Sequence, residues 1–377
     1  MAFLTPNTVT STATSTLMRT VIRPAALAAM GCAFMAFNTI ARADDHCPAL
    51  ALSVPESPIT TVDEQNYSLA ESQVILADYV RKIAVATCSG GVGQLMHLRN
   101  TPDPTDRTIL RINFDTIYSF LILDLTTPAT ITLPEANGRY QSAEVLDEEH
   151  YIPFIFDQPG SYELTQANVG GQYAIVIFRT QVSMGDDEDL KVVHALQDQI
   201  QVQQEAPGRY NVTNAWDMDE ILAMRKAYQT RAVRDKVPSE QMAGARGEIS
   251  HDMHNFGPAV GWGGQTKEGA IYLFIDNEPN EPQTLTVKDA PMADNAFWSI
   301  TVYDKDGFPQ GEHFSLNSTF ATENENGAVV VHFGGSPDQD NYLEIYEGWN
   351  ATFRIYSPQA EYFDGTWEVP TPQLVSH

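Results

Sequence analysis

Four groups of residues have the types and spacing to do chemistry. The first is Arg111-Ile-Asn113-Phe-Asp115-Thr116-Ile-Tyr118-Ser119. Polar groups crowd the start of an apolar strand, so Asn113 and Asp115 can donate and accept within a turn while Tyr118 presents a phenol. They either orient a ligand or form the Asx turn that starts the strand. The second group is Gly138-Arg139-Tyr140, followed by Asp147, Glu148, Glu149 and His150. A carboxylate pair with a histidine can do acid–base work, with Arg139 as an anion anchor. The alternative is an arginine–carboxylate brace beside an acidic turn. On one straight strand, at a rise of ~3.3 Å per residue, Arg139 and Asp147 stand roughly 26 Å apart. They cannot both reach Asp115. The expectation is that Asp115 pairs with Arg139, while Asp147 and His150 belong to another region or to a turn.

The third group is His251-Asp-Met-His254. On a helix, two histidines three apart share a face that suits Zn or Cu. Asp252 is the one extra ligand nearby, and two histidines do not complete a site, so the expectation is a polar loop and no metal. The fourth group is aromatic: Phe297, Trp298, Tyr303, Tyr356 and Trp367, with Arg354 and Asp364 among them. Aromatic rows with an arginine and an aspartate suit stacking on a sugar ring with polar anchoring. The alternative is the core of a β-sandwich with its polar tips bonded, above all for Phe297 and Trp298. The chain has no GxSxG elbow, HExxH pair, P-loop or dinucleotide fingerprint. No cofactor is expected, and any site must be assembled by the fold.

The elements that must do this positioning alternate in type. Asp63 to Thr87 carries Leu69, Ile75, Leu76, Tyr79, Val80 and Ile83 near the 3.6-residue period of an amphipathic helix, and Cys88-Ser-Gly-Gly ends it. From Thr108 to Arg179 short β-rich runs such as Phe120-Leu-Ile-Leu-Asp-Leu alternate with Pro, Gly and Asn breaks. Residues 186–236 are helical again, and Asp217 or Asp219 caps a helix holding Ile221, Leu222, Met224 and Tyr228. β signals return from Ala270 to the end. The resulting map has a leader at 1–43, a linker at 44–62, a β domain with its leading helix at 63–185, a helical segment at 186–256 and a second β domain at 257–377. The fold class is mainly β: two sandwich-like or jelly-roll-like domains separated by a helical segment.

The chain has 377 residues, with Asp and Glu at 49 against Lys and Arg at 22, a net charge of −27. Such a surface repels phosphate backbones and anionic lipid, which argues against nucleic-acid partners. Residues 1–43 hold Arg19, Arg23 and Arg42, no acid, an apolar run from Ala25 to Phe37, and then Ala41-Arg42-Ala43. This is the pattern of a secretory leader cut before Asp44, since the apolar run is shorter than the ~20 residues of a spanning helix. A periplasmic or secreted chain without membrane insertion is expected. Cys47 and Cys88 then remain, and an oxidising compartment predicts one disulfide between them.

The N-terminal half resembles the family called domain of unknown function 1254. The resemblance runs from Gln94-Leu-Met-His97-Leu-Arg99 through Asn113-Phe-Asp115-Thr116-Ile-Tyr118, Gly138-Arg139-Tyr140 and Leu146-Asp147 to His194-Ala-Leu-Gln197-Asp198. The C-terminal half is similar to domain of unknown function 1214, through Phe297-Trp298-Ser299-Ile-Thr301-Val-Tyr303-Asp304, Phe353-Arg354-Ile-Tyr356 and Phe363-Asp364-Gly-Thr-Trp367. Phe114 replaces the polar residue usual in the first family, and the stretch from Ile275 to Asn295 is shorter than usual in the second. The resemblance implies a β-rich two-domain protein of the cell envelope or exterior and no particular reaction. The expected function is binding of a small or glycan-like ligand. Its rivals are a hydrolase using Asp115, Asp147 and His150 with Arg139, and a structural protein that assembles as a homo-oligomer.

Overall fold

The computed structural model describes residues 47–375 apart from 48, 57, 108–110 and 277. The expected leader at 1–43 lies outside the described residues. Among the described residues no helix is long and apolar enough to cross a membrane.

The first domain has three layers. Its central sheet is antiparallel, in the order Leu95–His97, Thr116–Asp124, Tyr173–Gln181, Gln141–Asp147 and Phe154–Phe156. On one face lies a second sheet of Gly160–Leu164, Ala129–Leu133 and Gln201–Gln204. Leu121, Leu123, Val145, Val176 and Phe178 meet Ile131, Leu133 and Leu164 there. On the other face lies the helix Tyr67–Thr87, whose Ile75, Leu76, Tyr79, Val80 and Ile83 cover Phe120, Ile122, Ile175 and Ile177. Successive strand residues point to opposite faces, so a strand buried on both sides reads as an unbroken apolar run. This explains Phe120-Leu-Ile-Leu.

Elements of the structure cross three of the expected boundaries. The strand Gln201–Gln204 pairs with Ala129–Leu133 and completes the first sandwich, so that domain extends past 185 into the stretch read as helical. Ile59–Thr60, assigned to the linker, pairs in parallel with Ala215–Trp216. The helix Met218–Asp235 follows, capped by Asp217, which accepts from the backbone N–H groups of Asp219 and Glu220. His251–Gly261 is a helix rather than a loop, opened by Ser250, and it crosses the boundary drawn at 256.

The second domain is a sandwich of two four-stranded sheets. One runs Ala270–Ile275, Asn350–Tyr356, Trp298–Tyr303 and Ser315–Asn317. The other runs Tyr342–Leu343, Val329–Phe333, Gln283–Val287 and Gln373–Leu374. Between them pack Leu285, Trp298, Ile300, Val302, Val331, Phe333, Trp349, Phe353 and Ile355. Cys47 and Cys88 form a disulfide, with Cα atoms 5.4 Å apart.

Candidate functional site

Strand alternation divides the residues of the second domain. In Trp298–Tyr303, Trp298, Ile300 and Val302 enter the sandwich core, so Ser299, Thr301 and Tyr303 take the opposite face. In Asn350–Tyr356, Phe353 and Ile355 enter the core, so Arg354 and Tyr356 join that second face. Register places Arg354 beside Ser299 on one side and Tyr272 on the other. The second face is thus polar and aromatic, and it turns toward the first domain.

The first domain meets it with the turn 111–118. The Asn113 Oδ1 accepts the backbone N–H of Asp115 at 2.8 Å, the Asx turn that starts the strand Thr116–Asp124. The Asn113 amide then donates to the phenol oxygens of Tyr356 at 3.0 Å and Tyr118 at 3.3 Å. The Asp115 carboxylate accepts from the hydroxyls of Ser299 and, at 3.5 Å, Tyr356. Arg354 donates to Thr301 Oγ1 at 3.0 Å, Tyr303 Oη at 2.8 Å and the Arg111 carbonyl at 3.2 Å. Asn113, Asp115, Tyr118, Tyr303 and Arg354, five of the predicted site residues, therefore converge on one seam between the domains.

A buried ion pair flanks the seam. Arg179 donates to Glu144 at 2.8 Å and to the Gly263 carbonyl at 2.6 Å, and its guanidinium lies 5.5 Å from the Tyr118 ring centroid. Both members are buried. Burial raises the Asp115 carboxyl above its ordinary range, against the pull of Arg354 and the Ser299 hydroxyl. It raises Tyr356 well above the usual phenol and Tyr272 to about 12. The seam thus holds neutral phenols beside one buried ion pair, Arg179–Glu144, and an Arg354 guanidinium bonded to neutral oxygens. At its rim Arg111 stacks over Phe274 and Tyr303 and pairs with Asp276 at 3.5 Å. Phe274 is 56% exposed.

The remaining predicted residues lie elsewhere. Arg139 does not pair with Asp115. It makes a two-point bridge to Asp189 and donates to the Gln181 carbonyl at 2.8 Å. Asp189 stands in the first turn of the helix Asp187–Gln197, where it also accepts the Ser183 N–H, and the fold brings it to Arg139 across 50 residues of chain. Asp147 accepts the backbone N–H groups of Glu149 and Tyr151 and pairs with Arg246 at 2.8 Å. Burial lifts its carboxyl to about 6 against those bonds. His150, in the same turn with φ 72°, is buried, and its Nε2 accepts the Gly263 N–H at 3.0 Å. Burial and the nearby His254 hold its ring far below the usual range.

His251 and His254 share a helix but not a ligand site: His251 donates to the Glu64 carbonyl and His254 to the Glu149 carbonyl. Trp298 is sandwich core at 3% exposure, because it faces away from Arg354. Asp364 is an exposed turn residue holding Thr366, and Trp367 donates to the Lys288 carbonyl over the far side of the sandwich.

Sequence reasoning missed Glu144, Arg179, Tyr272 and Ser299. Arg179 had a readable signal, since it is a charge directly after the apolar run Ala174 to Phe178, whereas Glu144 lies in a strand that also holds Gln141, Ser142 and Asp147. Ser299 and Tyr272 needed the register.

No curated protein matches the chain. Among solved structures it is similar to the VPA0106 protein of Vibrio parahaemolyticus, with 16% identity and a TM-score of 0.58 over 83% of this chain and 98% of that one. It is also similar to a putative uncharacterized protein from Burkholderia cenocepacia, with 12% identity and a TM-score of 0.46 over 83% and 88% of the two chains. The first likeness shows a shared fold. Residues 92–204 match the family model described as Protein of unknown function (DUF1254), and residues 276–360 match Protein of unknown function (DUF1214). By these matches the chain joins a DUF1254 region in its N-terminal half to a DUF1214 region in its C-terminal half.

Proposed function

We propose that this protein is exported and binds a small, neutral, glycan-like ligand at the seam between its domains. One observation carries the reading. The aromatic and polar face of the second domain, with Tyr272, Phe274, Arg354 and Tyr356, lies against Asn113, Asp115 and Tyr118 of the first, and an exposed phenylalanine stands at its rim. Aromatic rings beside fixed hydrogen-bonding groups recognise sugar rings, whose faces are apolar and whose edges are hydroxyls. Arg179 is bonded to Glu144, and Arg354 to Thr301, Tyr303 and the Arg111 carbonyl, so an anionic ligand would have to displace those partners. Export is supported by the leader-like residues 1–43 and by the disulfide, which persists in oxidising compartments. A hydrolase built on Asp115, Asp147, His150 and Arg139 has less support, since those four side chains engage four different sets of partners.

The test is a thermal-shift and calorimetric screen of neutral oligosaccharides against the wild type, Tyr272→Ala and Phe274→Ala. Phe274 is exposed, so its loss should leave the melting temperature nearly unchanged while weakening a binder at least tenfold. Absence of any binder, or equal binding by both variants, sinks the reading.

A further inference from the structure

The first sandwich has an open end with chemistry of its own. Leu133 is the last residue of Ala129–Leu133, Gln141 the first of Gln141–Asp147, and Pro159 immediately precedes Gly160–Leu164. These strand ends border a groove of about 190 Å³, walled further by Glu135, Arg139 and Asp157 and by Asn295 of the second domain. That is smaller than the ~300–1,000 Å³ of a drug-sized pocket and suits a molecule of a few heavy atoms.

The groove has acceptors without donors. Gln141 is 4% exposed; its Nε2 donates to Thr180 at 3.0 Å, while its Oε1 is buried with no hydrogen-bond partner. An unpaired buried amide oxygen costs about 1–3 kcal/mol, so a donor entering the groove is favoured there. The half-buried Asp157 carboxylate accepts from the Ser357 hydroxyl at 2.9 Å and the Gln158 amide at 3.3 Å, and among the described residues it has no cationic partner. Glu135 accepts only the Asn137 N–H among the described contacts. Arg139, the cation of the groove wall, is taken by Asp189 and the Gln181 carbonyl. Negative charge and a free acceptor, with the local cation already used, select a ligand that brings positive charge and several N–H groups.

We infer that this groove is a binding site for a small organic ammonium compound, separate from the seam. An ammonium group supplies three donors, enough for Asp157 and Gln141 together. No covalent step is involved.

The experiment is calorimetric titration of the full chain at low salt with 1,4-diaminobutane and ethanolamine, and with glycerol and acetate as neutral and anionic controls. The expected result is saturable binding of the amines alone, at least tenfold weaker in Asp157→Asn and in Gln141→Leu. Because Asp157 also holds Ser357, Gln141→Leu serves as the second variant, and the melting temperature of each is measured. A diffuse attraction of amines to the acidic surface would survive either substitution, since neither alters the overall charge appreciably. Equal affinity in both folded variants, equal binding of glycerol or acetate, or no saturable heat with either amine overturns the assignment.

Discussion

The main sheets of the two domains cover their second faces in opposite ways. The five-stranded sheet of the first domain lies under the helix Tyr67–Thr87, where Tyr79 packs at a tilt against Phe120 with 4.7 Å between ring centroids. The sheet of Ala270–Ile275, Asn350–Tyr356 and Trp298–Tyr303 is covered instead by hydroxyls, phenols and an arginine that bond across to the other domain. Apolar cover has no direction and accepts small shifts. Polar cover works only when each group meets its partner, because an unpaired buried group is costly. A seam of the second kind orients groups, and orientation is what recognition needs.

This contrast can be broken by mutation. The largest expected effect is in the apolar cover, where Phe120→Ala leaves a cavity between helix and sheet and should cost about 3–5 kcal/mol. Urea unfolding would read it, and a loss below about 1 kcal/mol would show that the helix is not a true layer. In the polar seam, Arg354→Met leaves the buried Thr301 and Tyr303 hydroxyls and the Arg111 carbonyl without their donor, and takes a cation from the neighbourhood of Asp115, which should cost about 3 kcal/mol. The conservative Tyr356→Phe removes a hydroxyl whose partners keep others, and roughly 1 kcal/mol is expected. If both seam variants melt like the wild type, the seam is wet and loosely held, and the contrast fails.

A third test uses acidity. Burial lowers the His254 ring from 6.5 to about 4, so the unfolded chain takes up a proton on this residue before the folded one does. Stability from this group is therefore present above about pH 6.5 and is lost as pH falls toward 4, by roughly 3 kcal/mol. His254→Gln lacks the term, so its stability relative to the wild type should rise by that amount between pH 7 and pH 4. A constant difference across that range would mean the ring is accessible to solvent. The smallest effect belongs to the surface: Asp364→Ala, at an exposed turn, should stay within about 0.5 kcal/mol.

Much of the architecture was legible because it rests on local pattern. The period of Leu69 to Ile83 marked the covering helix, Asp217 marked a helix start, and runs such as Ala351 to Tyr356 marked strands. The seam was half legible. Asn113, Asp115 and Tyr118 stood out as polar residues at a strand start, and Arg354 as a charge in an aromatic strand. Their partners did not, because Ser299 meets Asp115 across 184 residues of chain through a register no local rule contains. Trp298 and Tyr303 were grouped together although five positions apart in a strand, an odd spacing that puts them on opposite faces. Arg139 was matched to the wrong carboxylate for the same reason: charge type was visible, proximity was not. The strand Gln201–Gln204 hid among helices because its glutamines carry little β preference.

The disulfide has a consequence for the segment it begins. Residues from Cys47 to Thr60 are held at one end by Cys88, the cap of the covering helix, and at the other by pairing with Ala215–Trp216. The stretch between is a strap fastened at both ends, and several of its residues, including Val54, are exposed. A protease that nicks the strap near Val54 would leave the oxidised chain as one covalent molecule of unchanged mass apart from a water. Adding a reductant to the nicked protein would then let the Cys47 fragment go, so release of that peptide reports the redox state of a single bond without unfolding the domains.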